Sequence, residues 1–343
     1  MLPEHRGGGR RRGPGGAPVK AFGYSQVREP AEAVRAARQT PGAAFIAGGT
    51  DLLNLMRDGA QHHDHLVDIN HLDLASVADS SKGLRIGGLA RMRHVAEHRS
   101  VRERYPVLAE ALEASASPQV RNMATIGGNL LQRTRCGYFR DAASACNKRA
   151  PGSGCSALEG WNRGHAVLGG SEHCIATHPS DLAVALLALD AVVHLLGPDG
   201  PRQVPVDGFH LRPGNAPHVD TVLRPAELIT AVEVPRPAAR SRYLKLRDRA
   251  TFEFAVVSIA AVVDLRGGRV RDVRLAFGGI GTTPWRSPEA EAVLRGAPLT
   301  VDAIERAGRA LVRDAVPRQH NGFKVELVQR ALVELLSGWG GSR

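Results

Sequence analysis

The chain has 343 residues, too long for one small domain and about right for two or three compact ones. Hydrophobic residues make up 43% and aromatics only 4%, so core volume must come from Ala, Val, Leu and Ile. The net charge of +11 gathers in an Arg-rich N-terminus and around 121–149 and 240–249, without the interleaved aromatics of single-strand binders, and no apolar run approaches the roughly eighteen residues of a membrane span. A nucleic-acid partner and a membrane span are therefore not expected.

Residues 1–18 are Gly/Arg/Pro-rich, with no apolar stretch behind the arginines, so they are expected to be disordered and to carry no export signal. Folded sequence is expected from Val19, which we read as the true start. A helix over Pro30–Ala37 follows, with Pro in its first turn. Next come a strand at Ala44–Ala47, a Gly48-Gly49 turn and a helix opened by Thr50-Asp51. Strands are predicted at His65–Ile69 and Leu84–Leu89, then helices at Arg93–His98 and Val107–Ala116. From Gln132 to about Pro179 the chain is polar and Gly-rich, with little apolar content for a core of its own. Leu182–Leu189, between two aspartates, reads as a buried helix N-capped by Asp181. Strands at Ala191–Leu196 and Leu228–Val234 lead to a hinge, Pro235-Arg236-Pro237. Beyond it, Phe254–Val263 and Val270–Ala276 pair across Arg266-Gly267-Gly268, and helices Val301–Val312 and Phe323–Leu336 close the chain. Strands and helices mix without strict alternation, which predicts an α+β fold.

Two segments share one design. Phe45–Asp51 and Ala124–Asn129 each place paired glycines after a strand-like run. Such loops bring backbone N–H groups close to an anion, and two of them facing each other could cradle a pyrophosphate. Gly278-Gly279 shows that the signal alone is cheap. Neither loop has Rossmann or Walker spacing.

The four cysteines, Cys136, Cys146, Cys155 and Cys174, all lie in the polar stretch, separated by nine, eight and eighteen residues. This spacing differs from zinc fingers and bacterial ferredoxins, and it allows a metal or iron–sulfur centre or two disulfides. His173 and His178 flank Cys174 as weaker ligand candidates. No hydrolytic triad, HExxH or paired carboxylate stands out, which suits electron transfer by a cofactor.

AGGTDLL (47–53), QVRNMATIGGNL (119–130), PSDLAVAL (179–186) and FKVELVQRAL (323–332) together resemble the FAD-binding subunits of the xanthine dehydrogenase and molybdenum hydroxylase family. The cysteine-bearing insertion resembles the branch of periplasmic aldehyde oxidoreductases that carries a [4Fe–4S] cluster. The resemblance implies a two-lobed FAD-binding domain of vanillyl-alcohol-oxidase (PCMH) type over 19–237, with the insertion at 132–179. A C-terminal α+β domain of the CO dehydrogenase flavoprotein type would cover 238–343. It implies that Ala44, Phe45, Ile46, Ala47, Gly48, Gly49, Thr50, Asp51 and Leu52 wrap the pyrophosphate. Thr125, Ile126, Gly127, Gly128 and Asn129 would do so from the opposite lobe. Asp181 would lie by the ribityl or phosphate side, and Ile229 and Lys245 near the isoalloxazine. Ser115 takes a contact position that is aromatic in some relatives, and the four cysteines would hold the cluster. The departures are the extension before Val19 and Arg140.

The implied role is an electron relay. A molybdenum-cofactor large subunit and a [2Fe–2S] small subunit would deliver electrons to FAD, which passes them to an external acceptor. The cluster would be mainly structural, and the complex periplasmic by co-export or cytoplasmic. A free-standing FAD oxidase and a zinc-stabilised basic binding protein are the alternatives.

Overall fold

The computed structural model describes residues 19–236 and 239–340. The expected disorder of 1–18, the hinge residue Pro237 and the last three residues lie outside the described residues.

The first lobe is a three-stranded parallel sheet in which His65–Asp68 runs between Gly23–Gln26 and Ala43–Ile46. Helix Pro30–Gln39 has proline in its first turn and buries Ala33 and Val34. Ala33 meets Val27, Val67, Ile69, Leu72, Leu89 and Leu228 in a small core. The strand Gly23–Gln26 was not anticipated, because Gly-Tyr-Ser-Gln carries no apolar alternation. Its parallel register with His65–Asp68 makes it a strand.

The second lobe is a five-stranded antiparallel sheet built around Leu228–Pro235. Gly83–Gly87 and Val192–Gly197 flank that strand, with Val77–Ser80 and Gly200–Pro205 at the edges. The prolines at 201 and 205 suit the edge position, where no ladder donor is needed. Every residue of helix Asp181–Ala188 is buried. It packs between helix Pro106–Ala114 and the sheet of the C-terminal region, so an aliphatic helix flanked by aspartates becomes the hub of the largest core.

The C-terminal region is a four-stranded antiparallel sheet, order Trp285–Arg286, Arg269–Gly278, Val257–Arg266, Arg240–Leu246. Its central hairpin turns at Gly267 and Gly268, whose φ values of 54° and 75° suit a tight two-residue turn. The first hairpin strand begins at Val257 rather than Phe254, since Phe254 lies in the preceding loop. Helices Pro288–Leu294, Val301–Leu311 and Phe323–Gly340 accompany the sheet, and the apolar faces of all three enter the second core.

The insertion has one helical turn, Gly137–Arg140, and is otherwise turns and bends. It is less independent of the cores than its composition suggests. Val167 and Leu168 are buried in the C-terminal core, and both N–H groups donate to the Ile280 carbonyl at 2.9 and 3.0 Å. Among the described residues no helix is long and apolar enough to cross a membrane.

Candidate functional site

A cavity of about 750 Å³ opens between the two lobes and the C-terminal region. Of the eighteen residues singled out for FAD, all line it except Ile46 and Ile126. Ile126 is fully buried in the large core, and Ile46 lies in the first sheet. The two glycine loops reach the cavity from opposite lobes.

The loops are chemically unequal. In the first, the N–H groups of Gly48, Gly49, Thr50, Asp51 and Leu52 have no acceptor among the described residues. Five successive free amides on a cavity wall form an anion-binding nest. In the second, Ile126 N donates to Ala90 O, Gly127 N to Gly88 O, Gly128 N to Thr125 Oγ1 and Asn129 N to Thr125 O. That loop spends two amides on the 88–90 segment and two on Thr125, and leaves the Thr125 hydroxyl hydrogen to offer.

The glycines also serve different ends. A Cβ on Gly48 would stand 2.0 Å from the Met123 carbonyl oxygen, so this glycine exists to let the two loops touch. Gly49 has φ +68°, and a Cβ on Gly128 would meet only Thr125 Oγ1.

Asp51 does not cap its helix through its side chain. Its carboxylate reaches the insertion instead. Oδ2 accepts from Arg133 N at 2.8 Å, and Oδ1 accepts from Arg140 Nη2 at 2.8 Å and from the Arg135 guanidinium. Arg140 also reaches Asp58. Arg133, Arg135 and Arg140 thus form a basic wall beside the nest, and Arg135 stacks over the Phe254 ring at 4.9 Å.

At the other end of the cavity the cap of helix Asp181–Ala188 is Ser180, whose Oγ accepts from Ala183 N. Ser180 Oγ in turn donates to Asn129 Oδ1 at 2.5 Å. Asp181, expected as the cap, is instead a buried acceptor. Its Oδ1 takes the Tyr243 hydroxyl at 2.6 Å, and its Oδ2 takes Ser115 Oγ at 3.0 Å and Lys245 Nζ at 2.8 Å. Burial and the Asp181 carboxylate hold the Tyr243 phenol well above its ordinary range, so it stays a donor. Lys245 Nζ also donates to Ala114 O at 3.1 Å, which leaves one of its three hydrogens for the cavity.

Behind the basic wall the four cysteines line a second, small cavity with Phe139, Lys148 and His173, and no carboxylate faces it. All four are free thiols. Burial pushes the Cys136 thiol up to about 12 and raises Cys174 too. Among the described residues, no three His, Cys, Asp or Glu side chains converge closely enough to hold a single metal ion. His178 is not beside the cysteines; it stacks on His210, with ring centroids 4.2 Å apart.

Sequence reasoning missed the arginine wall, Tyr243 and His165, whose Nε2 lies 3.2 Å from Cys136 Sγ. Tyr243 was accessible, because strand periodicity puts it on the same face as Lys245. The arginines alternate at 133 and 135, but nothing local points them at Asp51. His165 is 29 residues from Cys136 and carries no spacing signal.

A family model described as the FAD binding domain in molybdopterin dehydrogenase matches residues 20–237. One described as the CO dehydrogenase flavoprotein C-terminal domain matches 242–338. The chain is 48% identical to the aldehyde oxidoreductase FAD-binding subunit PaoB of Escherichia coli over 323 residues, covering 93% of this chain and 98% of that protein. It is 25% identical to the glyceraldehyde dehydrogenase medium chain of Sulfolobus acidocaldarius, over 88% of this chain and 91% of that one. The fold superposes on carbon monoxide dehydrogenase of Hydrogenophaga pseudoflava with a TM-score of 0.74 at 26% identity, covering 94% of this chain and 99% of that chain.

Proposed function

The chain belongs to the FAD-binding medium subunits of the molybdenum hydroxylases, and from that premise we propose an assignment of its two cavities, its partners and its electron path. As a member it is an oxidoreductase subunit of a multi-subunit complex. That membership displaces the free-standing oxidase and the zinc-stabilised binding protein.

The large cavity holds FAD. The Gly48–Leu52 amide nest takes the pyrophosphate, with the Thr125 hydroxyl opposite, and the remaining Lys245 hydrogen meets the flavin end near Ile229 and Asp181. FAD supplies the exchange between one-electron carriers and the external acceptor. The chain's residues bind it, orient it and keep charge balanced: the arginine wall offsets phosphate charge, and the Asp181–Lys245 pair is internally neutral. The five free amides carry this reading.

The cysteine cavity holds a [4Fe–4S] cluster on Cys136, Cys146, Cys155 and Cys174. Four cysteines lining one small cavity supply the ligand number that a [4Fe–4S] centre takes. A lining with no carboxylate among the described residues suits a centre of net negative charge, while the Lys148 ammonium is already paired with Asp220.

Similarity to PaoB supports an aldehyde-oxidising complex, in which a molybdenum-cofactor large subunit and a [2Fe–2S] small subunit feed electrons to this chain. The complex is periplasmic if exported with its partner and cytoplasmic otherwise. The test is co-expression with the neighbouring genes, followed by flavin, iron and molybdenum analysis and an optical spectrum. One FAD with eight irons per heterotrimer is expected, four of them beyond two [2Fe–2S] centres. FAD with only four irons refutes the cluster, and no flavin refutes the cavity assignment.

A further inference from the structure

We propose that His165 donates its Nε2–H to the Sγ of Cys136 and so sets the reduction potential of the cluster that the four cysteines hold. This rests on the [4Fe–4S] reading above.

His165 Nε2 lies 3.2 Å from Cys136 Sγ, within the range of a sulfur hydrogen bond. The other ring nitrogen, Nδ1, is buried and has no partner among the described residues. A proton on Nδ1 would be a buried donor with no acceptor, whereas a proton on Nε2 meets the sulfur. A thiolate, the metal-bound form of Cys136, accepts that proton more strongly than a thiol would.

His165 is held both within the insertion and from outside it. Its backbone N–H donates to Asn162 O, inside the insertion, at 2.9 Å. Its carbonyl accepts from Lys324 Nζ at 3.0 Å and from Asn321 Nδ2 at 3.3 Å. Lys324 and Asn321 belong to the C-terminal region and are 1% and 0% exposed. The backbone that carries the ring is therefore fixed in part by a different domain.

The four sulfurs are not equivalent. Cys136 faces His165 Nε2 while the Phe139 N–H goes to the Cys136 carbonyl at 3.1 Å, and Cys174 accepts from Ala176 N at 3.5 Å. Among the described residues no donor reaches the sulfur of Cys146 or Cys155 within hydrogen-bond distance. Donors to a ligand sulfur stabilise the extra negative charge of the reduced cluster and raise its potential. His165 acts through Cys136 and is a positioning residue.

The test uses the assembled complex, with redox titration of the reduced cubane signal by low-temperature electron paramagnetic resonance. His165→Phe keeps the ring volume and removes the donor, and its midpoint is expected to fall below wild type. His165→Gln, whose amide can take the place of Nε2–H, is expected to restore it. An unchanged midpoint in an iron-replete Phe variant overturns the inference. A wild-type complex with no cubane signal refutes the cluster reading itself, which separates the two failures. Where the Phe variant does not assemble, isotopically labelled histidine in wild-type complex decides. A nitrogen coupling to the reduced cluster that disappears in His165→Gln supports the bond, and its absence in wild type overturns it.

Discussion

Asp51 and Arg135 tie the two cavities together. Asp51 sits in the amide nest of the large cavity, Arg135 directly precedes Cys136, and the guanidinium rests on the carboxylate. With Arg133 N and Arg140 on the same carboxylate, the nest loop and the cysteine insertion share one charged joint. Replacing Asp51 by Ala leaves Arg135 and Arg140 without their common partner, at a cost of about 1.5–3 kcal/mol for each charged hydrogen bond lost. The insertion should then be cut faster by trypsin around Arg133–Arg140. Cleavage at the wild-type rate would show that the joint does not order the insertion.

The glycine loops should respond unequally to one added methyl. Gly48→Ala drives a Cβ into the Met123 carbonyl, which belongs to the backbone and cannot rotate away. Gly128→Ala meets only the Thr125 hydroxyl at 2.9 Å. Flavin content of purified complex should be nearly lost in the first and mostly kept in the second. Equal occupancy would mean that the loops need not touch.

Lys245 and Asp181 form a buried pair, each side chain 4% exposed. Lys245→Met leaves the carboxylate with only hydroxyl donors and should cost about 3–5 kcal/mol, the range for a broken buried pair. Adding Asp181→Asn should recover part of that loss, because the uncompensated charge goes too. Thermal unfolding of the two single variants and the double variant measures the coupling. Additive losses would mean that the pair is not coupled.

Lys324 is buried with no carboxylate on it and donates to two carbonyls, a set that a neutral amine with two hydrogens can satisfy. Burial pulls it from 10.5 to about 7. Between these values the unfolded chain binds the proton and the folded chain does not, so stability rises with pH through that window and is flat below it. His210 works at the acid end. Burial lowers it from 6.5 to about 4, so stability falls as pH drops from 6.5 towards 4. Lys324→Met should flatten the first slope. His210→Gln, which can keep the donor to Leu130 O, should reduce the second. Melting temperature against pH reads both, and unaltered slopes would place the titration elsewhere.

Cys155→Ser should lose the cluster and lower the yield of assembled complex, since the insertion is mostly turns and ordering each residue costs about 1 kcal/mol or more. Molecules that assemble with FAD should keep near-normal turnover if the cluster is structural. A flavin that is reduced by substrate yet cannot pass electrons on would put the cluster on the path.

Much of the chemistry was legible along the chain because it is local. Paired glycines after a strand, a buried aliphatic helix between two aspartates and four cysteines in one polar stretch declare themselves within a few residues of sequence. Sequence thus determined the α+β class, most of the elements and the residues that meet in the large cavity. Tertiary structure decided how those residues are used. Asp51 and Asp181 both read as helix caps, because an aspartate before a helix usually is one; each instead faces a partner 62 or more residues away. The two glycine loops look alike in sequence, yet one leaves five amides free among the described residues while the other spends its amides on Gly88, Ala90 and Thr125, a difference set by which backbone lies opposite. The polar insertion seemed to need a staple of its own, but Val167 and Leu168 borrow the core of the C-terminal region, and Lys324 and Asn321 hold His165 beside Cys136. Hydrogen-bond partners and burial depend on which segments the fold brings together, and local pattern carries no record of that.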